Sequence, residues 1–182
     1  IPYSCASWIH SIHRGVDVAR AQDIEHLIAA TGSTSEAAAR AKYPALPEQA
    51  LIDMGDFAGG FLKYLRRHPV PRLTLAGGFG KLSKLQQGAL DLHSSRSQLD
   101  MAKLAETASQ AGADAETRSA IAAANTGLHA LEIAKAAGIP LADQIALGAR
   151  ETALAALGGG IDIEVLVYDR TGQEVGHAGF VL

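Results

Sequence analysis

HLIAATGSTSE, residues 26–36, is a short apolar run that ends at a glycine among hydroxyl residues, and an alanine-rich segment continues to Lys42. This order predicts a strand, a tight turn and a helix. It repeats at residues 50–54, which precede a helix from about 56 to 67, and again at residues 72–76, which precede a glycine-rich turn. Strands that alternate with helices at this spacing predict parallel pairing with right-handed crossovers, because a parallel connection needs about a dozen residues.

The segments on either side predict flanking helices and an edge hairpin. Apolar residues recur at helical spacing over residues 5–21, and four alanine-rich helices are predicted between residues 97 and 157. Residues 161–168 alternate like a half-exposed strand, and Asp169-Arg170-Thr171-Gly172 is typical of a hairpin turn into residues 173–182. The predicted fold class is α/β: a Rossmann-like parallel sheet with flanking helices, a helix-rich second half and a C-terminal antiparallel edge hairpin.

Composition narrows the class of protein. The 182 residues are 48% hydrophobic and 19% charged, which favours one globular domain over residues 1–182. A formal charge of -3 argues against a nucleic-acid partner. Cys5 is the single cysteine, which excludes an internal disulfide framework. No apolar run is long enough to cross a membrane, so we expect a cytoplasmic protein, and a homo-oligomer stays open. The sequence opens mid-pattern without methionine, so we expect the C-terminal part of a longer two-domain chain.

The first predicted turn is suited to an anionic group. Thr31, Gly32, Ser33 and Thr34 lie at a helix N-terminus, where free backbone N–H groups and the helix dipole favour a carboxylate or phosphate. The alternative is a capping box, with Ser33 as the N-cap and Glu36 bonding back to it.

The second turn carries two acidic residues. Asp53 ends its strand at the edge where open parallel sheets bind ligands and where an acidic residue receives ribose hydroxyls. Asp56 is a second cofactor-binding candidate, or it caps the following helix.

The third turn combines glycines with two lysines one helical turn apart. The glycines Gly77, Gly78 and Gly80 let the backbone approach a ligand closely, and Lys81 and Lys84 follow. Leu82 stands where a Walker A loop needs Ser or Thr, which weighs against that motif. The glycines also fit a turn that only packs tightly.

A histidine beside hydroxyls follows between two predicted helices. Histidine is the side chain best suited to proton transfer near neutral pH, so His93, with Arg96 beside it, is our candidate for that role. The alternative is an ordinary helix cap in which Ser97 faces Asp100. His10, His13 and Asp17 share one helix face, but we expect a solvated surface there and no metal.

The ordered motifs resemble those of the CbiD family. They are Ile-Pro-Tyr-Ser-Cys at 1–5, Thr-Gly-Ser-Thr-Ser-Glu at 31–36, Met-Gly-Asp-Phe at 54–57, Gly-Lys-Leu-Ser-Lys-Leu at 80–85, Leu-His-Ser at 92–94, Asp100 and Ala-Asn-Thr at 124–126. The order and spacing over nearly the whole chain carry the resemblance.

The resemblance implies methyl transfer from S-adenosylmethionine to carbon 1 of cobalt-precorrin-5B, giving cobalt-precorrin-6A in cobalamin biosynthesis. It implies cofactor contacts from Thr31 to Thr34, at Asp53 and Asp56 and at the 77–80 turn. It also suggests that Lys81, Lys84 and Arg96 bind carboxylates of the corrinoid substrate. Two other functions stay open: a nucleotide- or phosphate-dependent enzyme using residues 77–84, and a non-catalytic tetrapyrrole-binding module.

Overall fold

Five strands form one sheet in the computed structural model, which describes residues 4–181. The strands are β1 (His26–Ala30), β2 (Leu51–Asp53), β3 (Arg72–Gly78), β4 (Asp162–Tyr168) and β5 (Glu174–Ala178). Their order is β2-β1-β3-β4-β5; β1 to β4 are parallel, and β5 is antiparallel to β4. The predicted α/β class, with a parallel sheet and an antiparallel edge pair, is confirmed.

Eight α-helices surround this sheet within residues 4–181. They are α1 (Cys5–Ala21), α2 (Ser33–Lys42), α3 (Ala58–Arg67), α4 (Phe79–Gln86), α5 (Met101–Gln110), α6 (Ala115–Ala122), α7 (Gly127–Ala136) and α8 (Leu141–Leu157). None of these helices is both long and apolar enough to span a bilayer. The motif residues Ile1, Pro2 and Tyr3 and the predicted hairpin end at Leu182 lie outside the described residues.

The two faces of the sheet have different coverings. On one face, α4 and α8 pack over alternate strand residues such as Leu73, Leu75 and Val165, which have no exposed surface, and α3 packs against α8 in the same core. On the other face, α2 covers a smaller apolar cluster that includes Ile28, Ala76 and Tyr168. Because parallel strands alternate their side chains between two covered faces, both residue sets are buried.

The prediction of a half-exposed β4 is wrong, because all seven of its residues are buried. Its two acidic residues, Asp162 and Glu164, are buried with hydrogen-bond partners. Asp162 Oδ1 accepts a hydrogen bond from the Val181 N–H. Glu164 Oε2 accepts from the Tyr43 hydroxyl at 2.5 Å and the Thr74 hydroxyl at 2.9 Å, and Oε1 lies 2.9 Å from His177 Nε2. A buried carboxylate is tolerated when its lone pairs are used in this way.

His26 extends this buried network. The Thr74 hydroxyl gives its hydrogen to Glu164, so its oxygen accepts from His26 Nε2–H at 2.8 Å. Burial lowers the pKa of His26 below its usual value, and burial followed by the Glu164 contact raises the pKa of Tyr43. The network lies toward the amino ends of β1 and β3, at the other end of these strands from the predicted turns.

The carboxyl ends of the parallel strands form a common rim. Ala30 of β1 is in register with Asp53 of β2 and with Ala76 of β3. The chain leaves β1 toward β2 on one side and leaves β3 toward β4 on the other. The rim between β1 and β3 is therefore a switch point, where doubly wound sheets open a crevice for a ligand.

Candidate functional site

A cavity of about 590 Å³ opens at this switch point, and we call it the rim cavity. Its lining joins four segments that are distant in sequence: residues 31–35, 78–81, 126–128 and 168–170. Seven residues predicted from the sequence line it, namely Thr31, Gly32, Ser33, Thr34, Gly78, Gly80 and Lys81. Its volume lies within the range of sites that bind one small organic ligand.

Two helices begin at the rim cavity without a side-chain cap. The N-cap of α2 is Gly32 and that of α4 is Gly78, and neither helix start has a side-chain cap hydrogen bond. The predicted capping box is therefore wrong: Ser33 is already helical, and the Ser35 hydroxyl donates to the Gly32 carbonyl. Uncapped N–H groups at a helix start favour an anionic or polar ligand group.

Gly77 and Gly78 differ sharply in their surroundings. A Cβ atom on Gly77 would lie 2.9 Å from Leu82 Cγ and 2.9 Å from Thr31 Oγ1, so this glycine allows close packing of β1 against α4. A Cβ atom on Gly78 or Gly80 would meet nothing within 4 Å. Gly78 and Gly80 therefore keep the rim cavity open, while Gly77 lies behind its wall.

Lys81 joins three segments of the rim. Its ammonium group donates a hydrogen bond of 2.7 Å to the Thr31 carbonyl and lies 3.0 Å from Asp56 Oδ1. That carboxylate oxygen is shielded from solvent and makes no hydrogen bond of good geometry, so the nearby charge of Lys81 compensates it. Asp56 does not cap α3, whose N-cap is Phe57.

A second cavity of about 450 Å³, the side cavity, adjoins the first and shares Gly80, Lys81 and Gly127 with it. Apart from these shared residues, its lining includes three residues predicted from the sequence, Asp56, Lys84 and His93.

The Lys84 and His93 side chains are held by local contacts. Lys84 donates to the Leu92 carbonyl at 3.0 Å, which fixes the loop after α4. The Ser95 N–H donates to His93 Nδ1 at 3.2 Å, which favours the neutral tautomer that carries its proton on Nε2. In that form the ring can donate a hydrogen bond from Nε2–H.

Three predicted residues line neither of these cavities: Asp53, Gly77 and Arg96. The Asp53 residue is exposed at the end of β2, and its backbone carbonyl accepts from Trp8 Nε1. Arg96 is exposed in the loop before α5. That helix is capped by Asp100, whose carboxylate accepts from two backbone N–H groups, while Ser97 bonds to the Asp91 carbonyl.

The polar side chains on the predicted polar face of α1 make contacts with other side chains of the protein. The Tyr64 hydroxyl donates to Asp17 at 2.6 Å, which lowers the pKa of Asp17, and Arg14 forms an ion pair with it. His13 stacks on the Tyr64 ring with centroids 4.0 Å apart.

Two segments of the rim cavity were not among the residues predicted to bind a ligand. One is the start of α7, where the Thr126 hydroxyl accepts from the His129 N–H. The other is the end of β4, Tyr168 to Arg170, which was interpreted only as an edge hairpin. Its parallel pairing with β3 puts this end on the same rim, and recognising β4 as an inner parallel strand would have indicated it.

Burial raises the pKa of Tyr168 to about 12. Its hydroxyl is buried without a hydrogen-bond partner among residues 4–181.

Comparisons with known proteins agree with the motifs. Residues 91–179 match a family model described as CbiD, C-terminal domain. Over these residues the chain is similar to the C-terminal domain of the CbiD family. Relatives extend the similarity over nearly all of the chain: one from Halorhodospira halophila is 56% identical over 181 residues, and one from Brucella canis is 58% identical over 173 residues. Both relatives are named cobalt-precorrin-5B C(1)-methyltransferase.

The predicted resemblance to the CbiD family is thus confirmed. The alignments cover 99% and 94% of this chain but 48% and 47% of the two relatives, so the chain spans about half their length. No solved structure matches the chain.

Proposed function

We propose that this chain is the C-terminal part of a longer, cytoplasmic methyltransferase of cobalamin biosynthesis. In this proposal the enzyme transfers a methyl group from S-adenosylmethionine to carbon 1 of cobalt-precorrin-5B, giving cobalt-precorrin-6A and S-adenosylhomocysteine. The family match and the names of the relatives support it. The observation that carries it is the rim cavity, where two uncapped helix starts face one space at the β1/β3 switch point.

The methyl donor occupies the rim cavity in this proposal. Thr31, Gly32, Ser33 and Thr34 present backbone N–H and hydroxyl groups to it, and Gly78 and Gly80 leave room for its approach. For Asp53 to bind the ribose hydroxyls, the donor must extend from this cavity across the end of β1. Such a Rossmann-like arrangement is supported by the strand order and by the register of Ala30 with Asp53.

The corrinoid lies outside the rim cavity, since a tetrapyrrole ring is too large for a space of about 590 Å³. The side cavity offers a neighbouring surface that bears His93 and Lys84, and Arg96 lies on the same loop as His93. The sulfonium methyl group is already activated. The protein therefore has to align it with carbon 1 and exclude water, with His93 handling a proton.

Binding of S-adenosylhomocysteine by the complete enzyme tests the donor site. We expect isothermal titration to show binding to the wild type and its loss in Gly78→Val, because that side chain would project into the cavity. Gly179→Val is the matched control: Gly179 is not at positive φ, a Cβ atom there makes only ordinary contact with His177 at 3.7 Å, and it lines neither cavity. Equal affinity in wild type and Gly78→Val would exclude this location.

Turnover tests the reaction itself. Cobalt-precorrin-5B and S-adenosylmethionine should give a product with one additional methyl group by mass spectrometry. A protein that binds the corrinoid but not S-adenosylhomocysteine would instead be a tetrapyrrole-binding module. His93→Ala should lower turnover more than donor affinity, and unchanged turnover would remove the proposed role of His93.

A further inference from the structure

Arg170 is a cation at the rim cavity that the sequence reasoning did not consider as a ligand. It lies in the turn between β4 and β5, is exposed and contributes to the lining of the cavity. Among the residues described, its guanidinium group makes no ion pair and no hydrogen bond. Lys81, the other cation of the lining, already compensates Asp56.

The turn that carries Arg170 is stabilised by its own hydrogen bonds. Asp169 Oδ1 accepts hydrogen bonds from Thr171 N at 2.9 Å, Thr171 Oγ1 at 2.7 Å and Gln173 N at 3.0 Å. The bond from the Thr171 hydroxyl is the main reason that the pKa of Asp169 is lowered, so this carboxylate is ionised and engaged by the turn.

The same turn rests on the start of α2. Gly172 has a φ of +82°, and a Cβ atom there would lie 3.4 Å from Thr34 Cγ2. The backbone of Arg170 is thus held beside the helix start that faces the cavity. A ligand has to order only the arginine side chain, which limits the entropic cost of binding.

The two helix starts that line the rim cavity also favour an anionic group. The uncapped starts of α2 and α4 place positive dipole ends and free N–H groups at the cavity. An arginine without a partner adds a planar fork of donors that matches a carboxylate in two-point geometry.

We infer that Arg170 binds a ligand carboxylate at the rim cavity. The identity of that carboxylate rests on the proposed function, which offers two sources: the methionine carboxylate of the donor inside the cavity, and a side-chain carboxylate that the corrinoid, lying outside, extends to its edge. Arg170 is better placed for this role than Arg96 or Lys84, which do not line the rim cavity.

The test compares Arg170→Gln with the wild type in the complete enzyme. Three probes are titrated: S-adenosylhomocysteine, methylthioadenosine, which lacks the amino-acid part, and citrate as an unrelated polycarboxylate. The KM for the corrinoid is measured alongside. Arg40→Gln is the matched control, because Arg40 is exposed on α2 but lies outside the cavity lining. Arg170→Lys keeps the positive charge but loses the planar set of N–H donors that can bind a carboxylate at two points.

If Arg170 binds the carboxylate of the donor, Arg170→Gln should bind S-adenosylhomocysteine roughly 10- to 100-fold more weakly than the wild type. Its affinity for methylthioadenosine should be unchanged. If Arg170 binds a carboxylate of the corrinoid, the affinity for the donor should be unchanged. The KM for the corrinoid should then rise by a similar factor, while kcat is retained. In both cases Arg170→Lys is intermediate and Arg40→Gln matches the wild type.

The negative outcomes separate the two proposals. Wild-type protein that binds citrate through Arg170 but not S-adenosylhomocysteine would keep the carboxylate site and exclude the donor function. If Arg170→Gln binds every probe with wild-type affinity and has a wild-type KM for the corrinoid, the inference is overturned.

Discussion

Replacing Gly77 with alanine should destabilise the protein, whereas the same change at the adjacent Gly78 should not. The new Cβ atom at position 77 would lie 2.9 Å from Leu82 Cγ and 2.9 Å from Thr31 Oγ1. Leu82 is fully buried and Thr31 is 4% exposed, so neither can move into solvent. Overpacking of this kind costs about 1–3 kcal/mol. The lower entropy of the unfolded alanine chain offsets about 0.4–1 kcal/mol of that cost.

Gly78 is the internal control for this reasoning. Its φ of -69° suits any residue, and a Cβ atom there would meet nothing within 4 Å. Only the unfolded-state effect applies, so Gly78→Ala should stabilise the fold by about 0.4–1 kcal/mol. The two variants should therefore differ by about 1–3 kcal/mol in free energy of unfolding.

Urea denaturation of the two variants and the wild type measures this difference. For a chain of this length, each kcal/mol also moves Tm by about 2–4 °C. Gly78→Ala should weaken ligand binding despite its stability, because its methyl group enters the rim cavity. If Gly77→Ala proves as stable as Gly78→Ala, the close packing of Thr31 against α4 does not constrain the rim.

Three other changes probe separate parts of the structure. Lys81→Met should lower the free energy of unfolding, measured by urea denaturation, by about 1–2 kcal/mol, because it leaves the charge of Asp56 uncompensated at a partly exposed site. Full recovery of stability in the Lys81→Met/Asp56→Asn double variant would confirm the pairing. Burial holds the folded pKa of His26 below 6.5, so the unfolded chain binds more protons. Stability should fall as the pH drops through 6.5 toward the folded pKa, and His26→Gln should remove that part of the pH dependence; an unchanged profile would contradict it. Gly176→Leu should prevent folding as judged by circular dichroism, because any Cβ atom there overlaps the backbone of Ala142 in α8; a native spectrum would show that β5 is not packed as described.

Local patterns predicted which segments form strands and helices, but several ends depended on backbone geometry. Ser33 looked like an N-cap, yet the chain turns into α2 one residue earlier, at Gly32. Likewise, α4 begins at Phe79, directly after Gly78 and within the glycine-rich turn. Glycine bears no side chain whose hydrogen bonding would reveal such a start.

The burial of β4 could not be predicted locally, because its polar residues find their partners elsewhere. Glu164 alternates with apolar neighbours as a surface residue would, but Tyr43 and Thr74, which satisfy it, lie 121 and 90 positions away. The rim cavity follows the same rule. Two of its walls lie at turns that the sequence marked. The wall at residues 168–170 depended on knowing that β4 pairs with β3, and the wall at residues 126–128 depended on the packing of α7 against α4.

The pairing of β3 with β4 also affects synthesis of the chain. Gly78 is in register with Tyr168, so about 90 residues must leave the ribosome before the edge of β3 is covered. At roughly 5–20 residues per second this interval is about 5–20 s, during which an apolar edge is available to other nascent chains. The amphipathic helices made in the interval are the segments that can shield it, so deletions within residues 101–157 should increase aggregation during expression.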